Sequence, residues 1–257
     1  MNWDVRLVST DFDGTIFDQH ADAPVAAEFQ DLIAEFQADG GVWVINTGRD
    51  QASLLEELAR CRVRVMPDFL VVVEREIFRR EHGKFCPHIE WNSLCSRRHA
   101  DLARNLADEF PAIVSWIRAH TSASVFADDY SPLAVVASTN EEMDAIDARL
   151  ADLATVRPEV TWMRNDVYAR LCHSDYSKGT ALLEIQRLLG LTPEVVFTVG
   201  DHLNDLSMLA PEVAGYFAVP KNAVTPVIEH VEKLEGRVSE YSFGRAVANE
   251  LARLRCG

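Results

Sequence analysis

What is scarce in this sequence excludes several classes of protein. Positive charge is scarce, because 25 Lys and Arg residues stand against 40 Asp and Glu residues, which makes the formal net charge −15. Nucleic acids and anionic membrane surfaces attract proteins through clustered Lys and Arg, so we expect neither as a partner. Long apolar runs are also scarce: no segment approaches the roughly 18 consecutive apolar residues that span a bilayer.

Cysteine is scarce too, and its spacing is irregular. The number of cysteines is odd, and no two of them form a Cys-x-x-Cys pair. The five are Cys61, Cys86, Cys95, Cys172 and Cys256. Disulfide frameworks and zinc sites have paired, regular spacing, so we expect free thiols in a reducing compartment. Residues 1–4 show neither a basic segment nor the start of an apolar one, so we expect no signal peptide and a cytoplasmic protein.

The hydrophobic residues that are present follow an alternating order of strands and helices. Short apolar runs over Val5–Thr10, Val42–Asn46 and Phe69–Val73 predict strands, with amphipathic helices between them. The same rhythm returns after residue 177, with a helix predicted over Thr180–Leu189 and a strand over Val195–Val199. This order predicts a doubly wound, Rossmann-like parallel sheet of the α/β class.

The middle of the chain has a different pattern. Helices are predicted at Arg97–Phe110 and Glu141–Leu153, among several short strand-like pieces. Such a mixture indicates a separate α+β unit with an antiparallel sheet. We therefore predict a core domain of residues 1–80 and 174–257, interrupted by an inserted domain of residues 81–173.

Polar side chains collect where the predicted core strands end, and ligands of open parallel sheets bind at that edge. Asp11 and Asp13 lie two apart on an extended segment, so their side chains face the same way. Asp201 and Asp205 add two carboxylates after a later strand. Four carboxylates this close together require a cation, and Mg²⁺ suits them because it combines a few carboxylates with waters and a phosphate oxygen.

Other residues at the same edge suit an anion. Gly14 and Gly48 leave backbone N–H groups accessible, and Thr47 offers a hydroxyl donor. Lys178, at the start of a predicted helix, can neutralise the charge that develops during group transfer. Each short motif alone is more often an ordinary turn or helix start. Their joint occurrence at strand ends makes coincidence a poor explanation.

Together these segments resemble the four motifs of haloacid dehalogenase superfamily phosphatases. The matching segments are residues 11–15 (Asp-Phe-Asp-Gly-Thr), 47–49 (Thr-Gly-Arg), 178–179 (Lys-Gly) and 200–208 (Gly-Asp-His-Leu-Asn-Asp-Leu-Ser-Met). The last is similar to the Gly-Asp-x-x-Asn-Asp-x-x-Met form of the Cof-type branch. The insert falls between the second and third motifs, where the C2 cap lies in the branch that includes sucrose-phosphate phosphatase and phosphomannomutase.

The resemblance implies a role for each carboxylate. Asp11 would be the nucleophile that takes the phosphoryl group, and Asp13 the acid that protonates the leaving oxygen and then activates water. Mg²⁺ would be held by Asp11, Asp201 and the backbone carbonyl of Asp13. Asp205 would be a further ligand, or it would support the ligands without contacting the metal.

The same resemblance implies the phosphate-binding groups. They are Lys178, Thr47, Gly48, Asn204 and the N–H group of Gly14. In the cap, which selects the leaving group in this family, Arg164, Asn165 and Asp166 are the candidate specificity residues, because short turns of an inserted domain often face a cleft. These three residues also fit a plain hairpin turn, and this part of the sequence names no substrate.

The leading hypothesis from the sequence is a Mg²⁺-dependent phosphatase that hydrolyses a small phosphorylated metabolite, a sugar phosphate, through an aspartyl-phosphate. A phosphomutase of the phosphomannomutase type is the first alternative, because the same intermediate can return its phosphoryl group to a sugar. The second is a non-enzymatic receiver module with a phospho-accepting Asp, which the large insert argues against. The oligomeric state is not readable from the sequence.

Overall fold

The computed structural model describes residues 3–255, which form two compact units. The strands in chain order are β1 (Leu7–Thr10), β2 (Val42–Asn46), β3 (Phe69–Val72), β4 (Glu76–Glu81), β5 (Lys84–Pro87), β6 (Ser124–Phe126), β7 (Ala134–Val136), β8 (Val160–Asn165), β9 (Tyr168–His173), β10 (Val196–Val199), β11 (Tyr216–Val219) and β12 (Arg237–Val238). The helices are α1 (Ala27–Ala38), α2 (Gln51–Arg60), α3 (Ile89–Asn105), α4 (Phe110–His120), α5 (Asn140–Val156), α6 (Lys178–Leu189), α7 (Thr225–Lys233) and α8 (Phe243–Ala252).

The first unit, which runs up to Ile89 and resumes at Ser177, is built on an eight-stranded sheet. Its strand order is β12-β11-β10-β1-β2-β3-β4-β5, parallel from β12 to β3 and antiparallel at β4 and β5. All four residues of β1 are buried, as expected for a central strand of a parallel sheet that is covered on both faces. The predicted α/β class with a parallel core sheet is confirmed.

Helix α1 shows how the sequence pattern attaches a helix to this sheet. Phe29, Ile33 and Phe36 recur at three- and four-residue spacing and are fully buried. The Phe29 ring packs edge-on against Trp43 of β2, with 5.5 Å between ring centroids. Aromatic pairs in this geometry stabilise a core beyond the area that they bury, so this contact fixes α1 against the strand beside β1.

The unit boundaries lie at Ile89/Glu90 and Tyr176/Ser177, whereas the sequence placed them near residues 80 and 174. The first boundary lies later because β4 and β5 form a hairpin whose first strand pairs with β3 in the core sheet. The predicted boundary near residue 80 therefore falls inside β4 of this hairpin.

The second unit, Glu90–Tyr176, has its own four-stranded antiparallel sheet in the order β6-β7-β9-β8 and its own apolar core. The sequence predicted two helices here, and the structure has three, because the chain turns between Asn105 and Phe110 and α4 follows. Ile113 and Ile117 of α4 are buried, four residues apart, so an amphipathic signal was present in the sequence.

Two sequence expectations concern the whole chain. In the part that the structure describes, none of the helices combines the length and apolar character needed to cross a bilayer. Cys61, Cys86, Cys95 and Cys172 are free thiols, while Cys256 and the first two residues lie outside the described residues.

Candidate active site

The predicted site residues follow three neighbouring parallel strands of the core sheet. Asp11 follows β1, Thr47 follows β2, and Asp201 follows β10. Because β1 pairs with both β2 and β10 in parallel, the carboxyl ends of the three strands meet at one edge. The site therefore originates in the strand order, which brings residues more than a hundred positions apart into contact.

Lys178 links two of the carboxylates. It is fully buried at the start of α6, and its Nζ lies 2.7 Å from Asp11 Oδ1 and 2.6 Å from Asp205 Oδ1. Burial alone would lower the pKa of Lys178, but the charges of Asp11, Asp205 and Glu74 outweigh it and raise that pKa above its ordinary value. Lys178 is therefore a fixed positive charge beside Asp11.

Three carboxylates form one oxygen cluster. Oxygen atoms of Asp11, Asp201 and Asp205 all lie within 4.8 Å of one another. Burial raises the pKa of Asp11 well above its usual range, an effect that Lys178 opposes and the other two carboxylates reinforce. Burial, and then the charge of Asp205, raises the pKa of Asp201 to about 7. These carboxylates carry an electrostatic cost that a bound cation would relieve.

The three carboxylates of this cluster differ in how many of their oxygens accept hydrogen bonds. Asp205 uses both oxygens, since Oδ1 accepts from Lys178 and Oδ2 accepts from the backbone N–H groups of Asp201 and His202, at 2.8 and 2.9 Å. Asp11 accepts from Lys178 and Asp201 accepts from Thr15, each through Oδ1 only. Among the described residues the Oδ2 atoms of Asp11 and Asp201 accept no hydrogen bond.

This donor set fits Mg²⁺. Buried carboxylate oxygens without a competing donor are the ligands that this hard cation prefers. Gly14 adopts a positive φ of 77°, and a Cβ at that position would collide with the Asp201 carboxylate, so the close approach of Asp201 requires glycine. Asp205 belongs to the same cluster, and both of its oxygens already accept hydrogen bonds, so its role as a further ligand stays a prediction.

The side chain of Asp13 lies apart from the cluster, in an ion pair with Arg49. Arg49 Nη2 lies 2.6 Å from Asp13 Oδ1, and Nε lies 2.7 Å from Oδ2. This hydrogen bonding raises the pKa of the Arg49 guanidinium, whose Cζ also lies 5.4 Å from the centre of the Phe12 ring. Asp13 is 40% exposed at its side chain, so it is the accessible carboxylate of the site.

The turn after β2 supplies a hydroxyl at the same edge. Thr47 is buried, and its Oγ1 accepts the backbone N–H of Arg49 at 3.2 Å, which leaves the hydroxyl proton available as a donor. Asn46 donates from Nδ2 to the backbone carbonyl of Lys178 at 3.0 Å and so attaches the end of β2 to α6. Gly48 lies between these residues, facing the side chain of Glu74.

One expected phosphate donor is engaged elsewhere. The N–H group of Gly14 donates to the carbonyl of Phe17 at 3.1 Å, which closes the loop after β1. The predicted contact of this N–H group with a phosphoryl oxygen would have to replace or share that hydrogen bond, and it stays a prediction. The predicted donors that remain are Lys178, Thr47, Asn204 and the N–H group of Gly48.

Two residues of the site were missed by the sequence analysis. Arg49 was noted only as part of its motif, although its partner Asp13 makes it a member of the site. Glu74 was not considered at all, yet it is buried and accepts a hydrogen bond from Asn204 Nδ2 at 2.9 Å. The available signal was its position at the carboxyl end of β3, the fourth strand that leads to this edge.

The three candidate specificity residues belong to the second unit and make contacts within it. Arg164 lies 2.6 Å from Asp144 and 2.7 Å from Asp147 through Nη1, so its guanidinium is tied to α5. Asp166 has a positive φ of 54° and accepts from Asn140 Nδ2 at 2.7 Å, while Asn165 ends β8. These contacts correspond to the alternative interpretation, a hairpin turn between β8 and β9.

Sequence comparison identifies relatives of the chain. A family model described as haloacid dehalogenase-like hydrolase matches residues 118–245. The Bacillus subtilis protein YxeH, whose name proposes a phosphatase, is 23% identical across 94% of this chain and 97% of its own length. The phosphoglycolate phosphatase of Methanoculleus marisnigri is 40% identical over 68 residues, which are 26% of each chain.

Solved structures share the fold over almost the full length. A sucrose-phosphatase from Synechocystis sp. PCC6803, in complex with sucrose and phosphate, superposes with a TM-score of 0.73 at 16% identity and covers 98% of both chains. The haloacid dehalogenase-like hydrolase yhjK of Bacillus subtilis has a TM-score of 0.63 at 18% identity, covering 100% of this chain and 93% of that one. The family model and the relatives support a haloacid dehalogenase-like hydrolase of the Cof-type phosphatase branch, and the solved structures show that the fold is shared.

Proposed function

We propose that this protein is a Mg²⁺-dependent phosphatase that hydrolyses a small phosphorylated metabolite, a sugar phosphate, through an aspartyl-phosphate on Asp11. The observation that carries the proposal is that two carboxylates of the site differ in their burial and in their partners. Asp11 is buried against Lys178, whereas Asp13 is accessible and held by Arg49. A nucleophile needs a fixed position, and a proton carrier needs access to the leaving group and to water.

In the first half-reaction a carboxylate oxygen of Asp11 forms a bond to phosphorus, and the bond from phosphorus to the ester oxygen breaks. For this step one oxygen of Asp13 is released from Arg49 and protonated, while the other still accepts from it. That proton passes to the ester oxygen, so the alcohol leaves neutral. Lys178, 2.7 Å from Asp11, compensates the negative charge gathered around the phosphoryl group. Thr47 and Asn204 provide hydrogen-bond donors to its oxygens.

In the second half-reaction water attacks the aspartyl-phosphate. Asp13, now ionised, accepts a proton from that water, whose oxygen bonds to phosphorus while the bond to Asp11 breaks. The products are inorganic phosphate, ionised Asp11 and protonated Asp13, so the site returns to its starting state. One hard displacement becomes two easier ones that share a single proton carrier.

Asp11 and Asp201 would hold the metal through their available Oδ2 atoms, with the backbone carbonyl of Asp13 as the further ligand that the family resemblance implies. When bound, Mg²⁺ supplies positive charge to the phosphoryl oxygens and to the carboxylates around them. In this proposal Asp205 positions Lys178 and the turn that carries Asp201.

The choice of a sugar phosphate as substrate rests on the fold shared with a sucrose-phosphatase over nearly the whole chain. It is tested by a phosphate-release screen of phosphorylated metabolites with Mg²⁺, and activity should stop when EDTA is added. An isomerised sugar phosphate without free phosphate would favour the phosphomutase instead. A stable phosphoprotein without turnover would favour the receiver module.

The assignment of the nucleophile needs its own variant. Asp11→Asn keeps the shape but removes the nucleophilic carboxylate, so we expect kcat to fall on the order of a thousandfold or more. Asp22→Asn, at an exposed position of the same unit, is the matched control and should retain wild-type kcat. Full activity in the Asp11 variant would overturn the mechanism.

A further inference from the structure

A strained turn brings an additional carboxylate into the site. Between β3 and β4, Val73 and Glu74 adopt positive φ angles of 44° and 66°. The left-handed region is unfavourable for any residue with a side chain and most unfavourable for a β-branched one such as Val. Strain of this kind persists only where the surrounding structure enforces it, and such positions cluster at functional sites.

The surrounding structure that enforces this turn is the phosphate-binding segment itself. The N–H group of Val73 donates to the carbonyl of Arg49, and the N–H group of Glu74 donates to the carbonyl of Thr47, both at 2.9 Å. The turn is therefore attached by two backbone hydrogen bonds to residues 47–49. As a result, the Glu74 side chain is delivered into the same edge of the sheet.

The carboxylate of Glu74 contacts Asn204 directly. It is 5% exposed, and its Oε1 accepts a hydrogen bond from Asn204 Nδ2 at 2.9 Å. Its charge also acts on Lys178.

The orientation of the Asn204 amide depends on this contact. Among residues 3–255 its Oδ1 atom is buried and has no hydrogen-bond partner, so the contact with Glu74 alone sets the amide. A carboxylate only accepts hydrogen bonds, so it selects the NH₂ end of an amide that could otherwise rotate by half a turn. One hydrogen of Nδ2 is then used by Glu74, and the second remains available as a donor.

We propose that Glu74 is a positioning residue for phosphoryl transfer, which orients the amide of Asn204 so that its second N–H donates to the phosphoryl group. This inference rests on the proposed phosphatase function. Glu74 does not touch the substrate; it acts through Asn204. Its strained backbone is the structural cost of presenting a carboxylate where glycine would fit without strain.

A double-mutant cycle tests the route through Asn204. Glu74→Ala and Asn204→Ala should each lower kcat by about tenfold or more, because misdirecting or removing one donor weakens transition-state stabilisation. If Glu74 acts through Asn204, the double variant should be no slower than Asn204→Ala, within about twofold. Losses that multiply would overturn the proposal.

Glu74→Gly separates positioning from a purely structural role. Glycine accepts the positive φ angle, so this variant should unfold at or above the wild-type temperature while kcat falls by about tenfold. A structural residue would instead lose stability and activity together. Wild-type kcat in Glu74→Gly would overturn the proposal, and exposed Glu81→Gln on β4 of the same hairpin is the control that should leave both quantities unchanged.

The same variants distinguish failure of this inference from failure of the proposed function. If the wild type is active and the effects of the two substitutions on kcat multiply, the role of Glu74 is refuted and the phosphatase function is not. A wild type that releases no phosphate from any ester would refute the phosphatase. In that case, calorimetric titration with inorganic phosphate and Mg²⁺ still tests the inference: Glu74→Gly should weaken binding by about tenfold, and equal binding, or no binding to either protein, would overturn it.

Discussion

Arg49 holds both carboxylate oxygens of Asp13 in a bidentate pair, at 2.6 and 2.7 Å. The guanidinium lies near the rings of Phe12 and Phe17, which stack on each other with 4.9 Å between centroids. Planar, bidentate geometry fixes direction as well as charge. The accessible carboxylate of the site is thus oriented by a cation that belongs to a different strand end.

Arg49→Lys should lower kcat by about tenfold, because an ammonium group cannot reproduce the planar two-point contact that orients Asp13. Steady-state phosphate release measures the effect. Arg60→Lys, at the exposed end of α2, is the control and should match the wild type. If Arg49→Lys were as fast as the wild type or faster, the pair would be a resting arrangement that catalysis must break.

Removing the buried cation should destabilise the protein strongly. Lys178→Met leaves Asp11 and Asp205 buried without their partner, and breaking a buried ion pair in this way costs about 3–5 kcal/mol. Denaturant unfolding monitored by circular dichroism measures the change. Lys233→Met, at an exposed position of α7, should stay within about 0.5 kcal/mol of the wild type. Equal stability of the two variants would contradict the electrostatic account of the site.

Stabilisation by Mg²⁺ should grow as pH rises. The pKa of Asp201 is raised to about 7 in the folded protein, above its unfolded value, so the folded state binds more protons between roughly pH 4 and 7. The contribution of Asp201 to metal-free stability is therefore complete below roughly pH 4 and is lost as pH rises towards 7. Mg²⁺ binds the deprotonated carboxylates and offsets that loss.

The measurement is the difference in Tm with and without Mg²⁺ at pH 5.5 and pH 8 (values chosen on either side of about pH 7, where Asp201 titrates). The difference should be larger at the higher pH, and Asp201→Asn should remove most of this dependence. A Mg²⁺ effect that is equal at both pH values would show that these carboxylates do not titrate as inferred.

Arg164 provides a test within the second unit. Its guanidinium is 11% exposed and paired with Asp144 and Asp147, so Arg164→Ala should lower stability by about 1–3 kcal/mol and leave KM within about twofold. Thermal unfolding and substrate titration measure the two quantities. A large rise in KM at unchanged Tm would instead support the sequence-based expectation that this residue contacts substrate.

The core of the molecule was accessible from the sequence because its signals are local. Buried runs such as Leu7–Thr10 and the amphipathic spacing of Phe29, Ile33 and Phe36 identify strands and helices without knowledge of their partners. The order of these elements predicts a parallel sheet, and therefore the edge where strand-end residues meet. Helix α4 was missed although Ile113 and Ile117 carried the same kind of signal.

Which groups stand at the ends of the strands, among them Asp11, Thr47 and Asp201, follows from the order of residues along the chain. How those groups are paired depends on the folded molecule. It directed Asp13 to Arg49, gave both oxygens of Asp205 to structural donors, and brought Glu74 to Asn204 through a turn whose φ angles no local pattern predicts. The physical reason is that strand and helix formation depends on near neighbours along the chain, whereas hydrogen-bond partners depend on which elements the folded sheet places side by side.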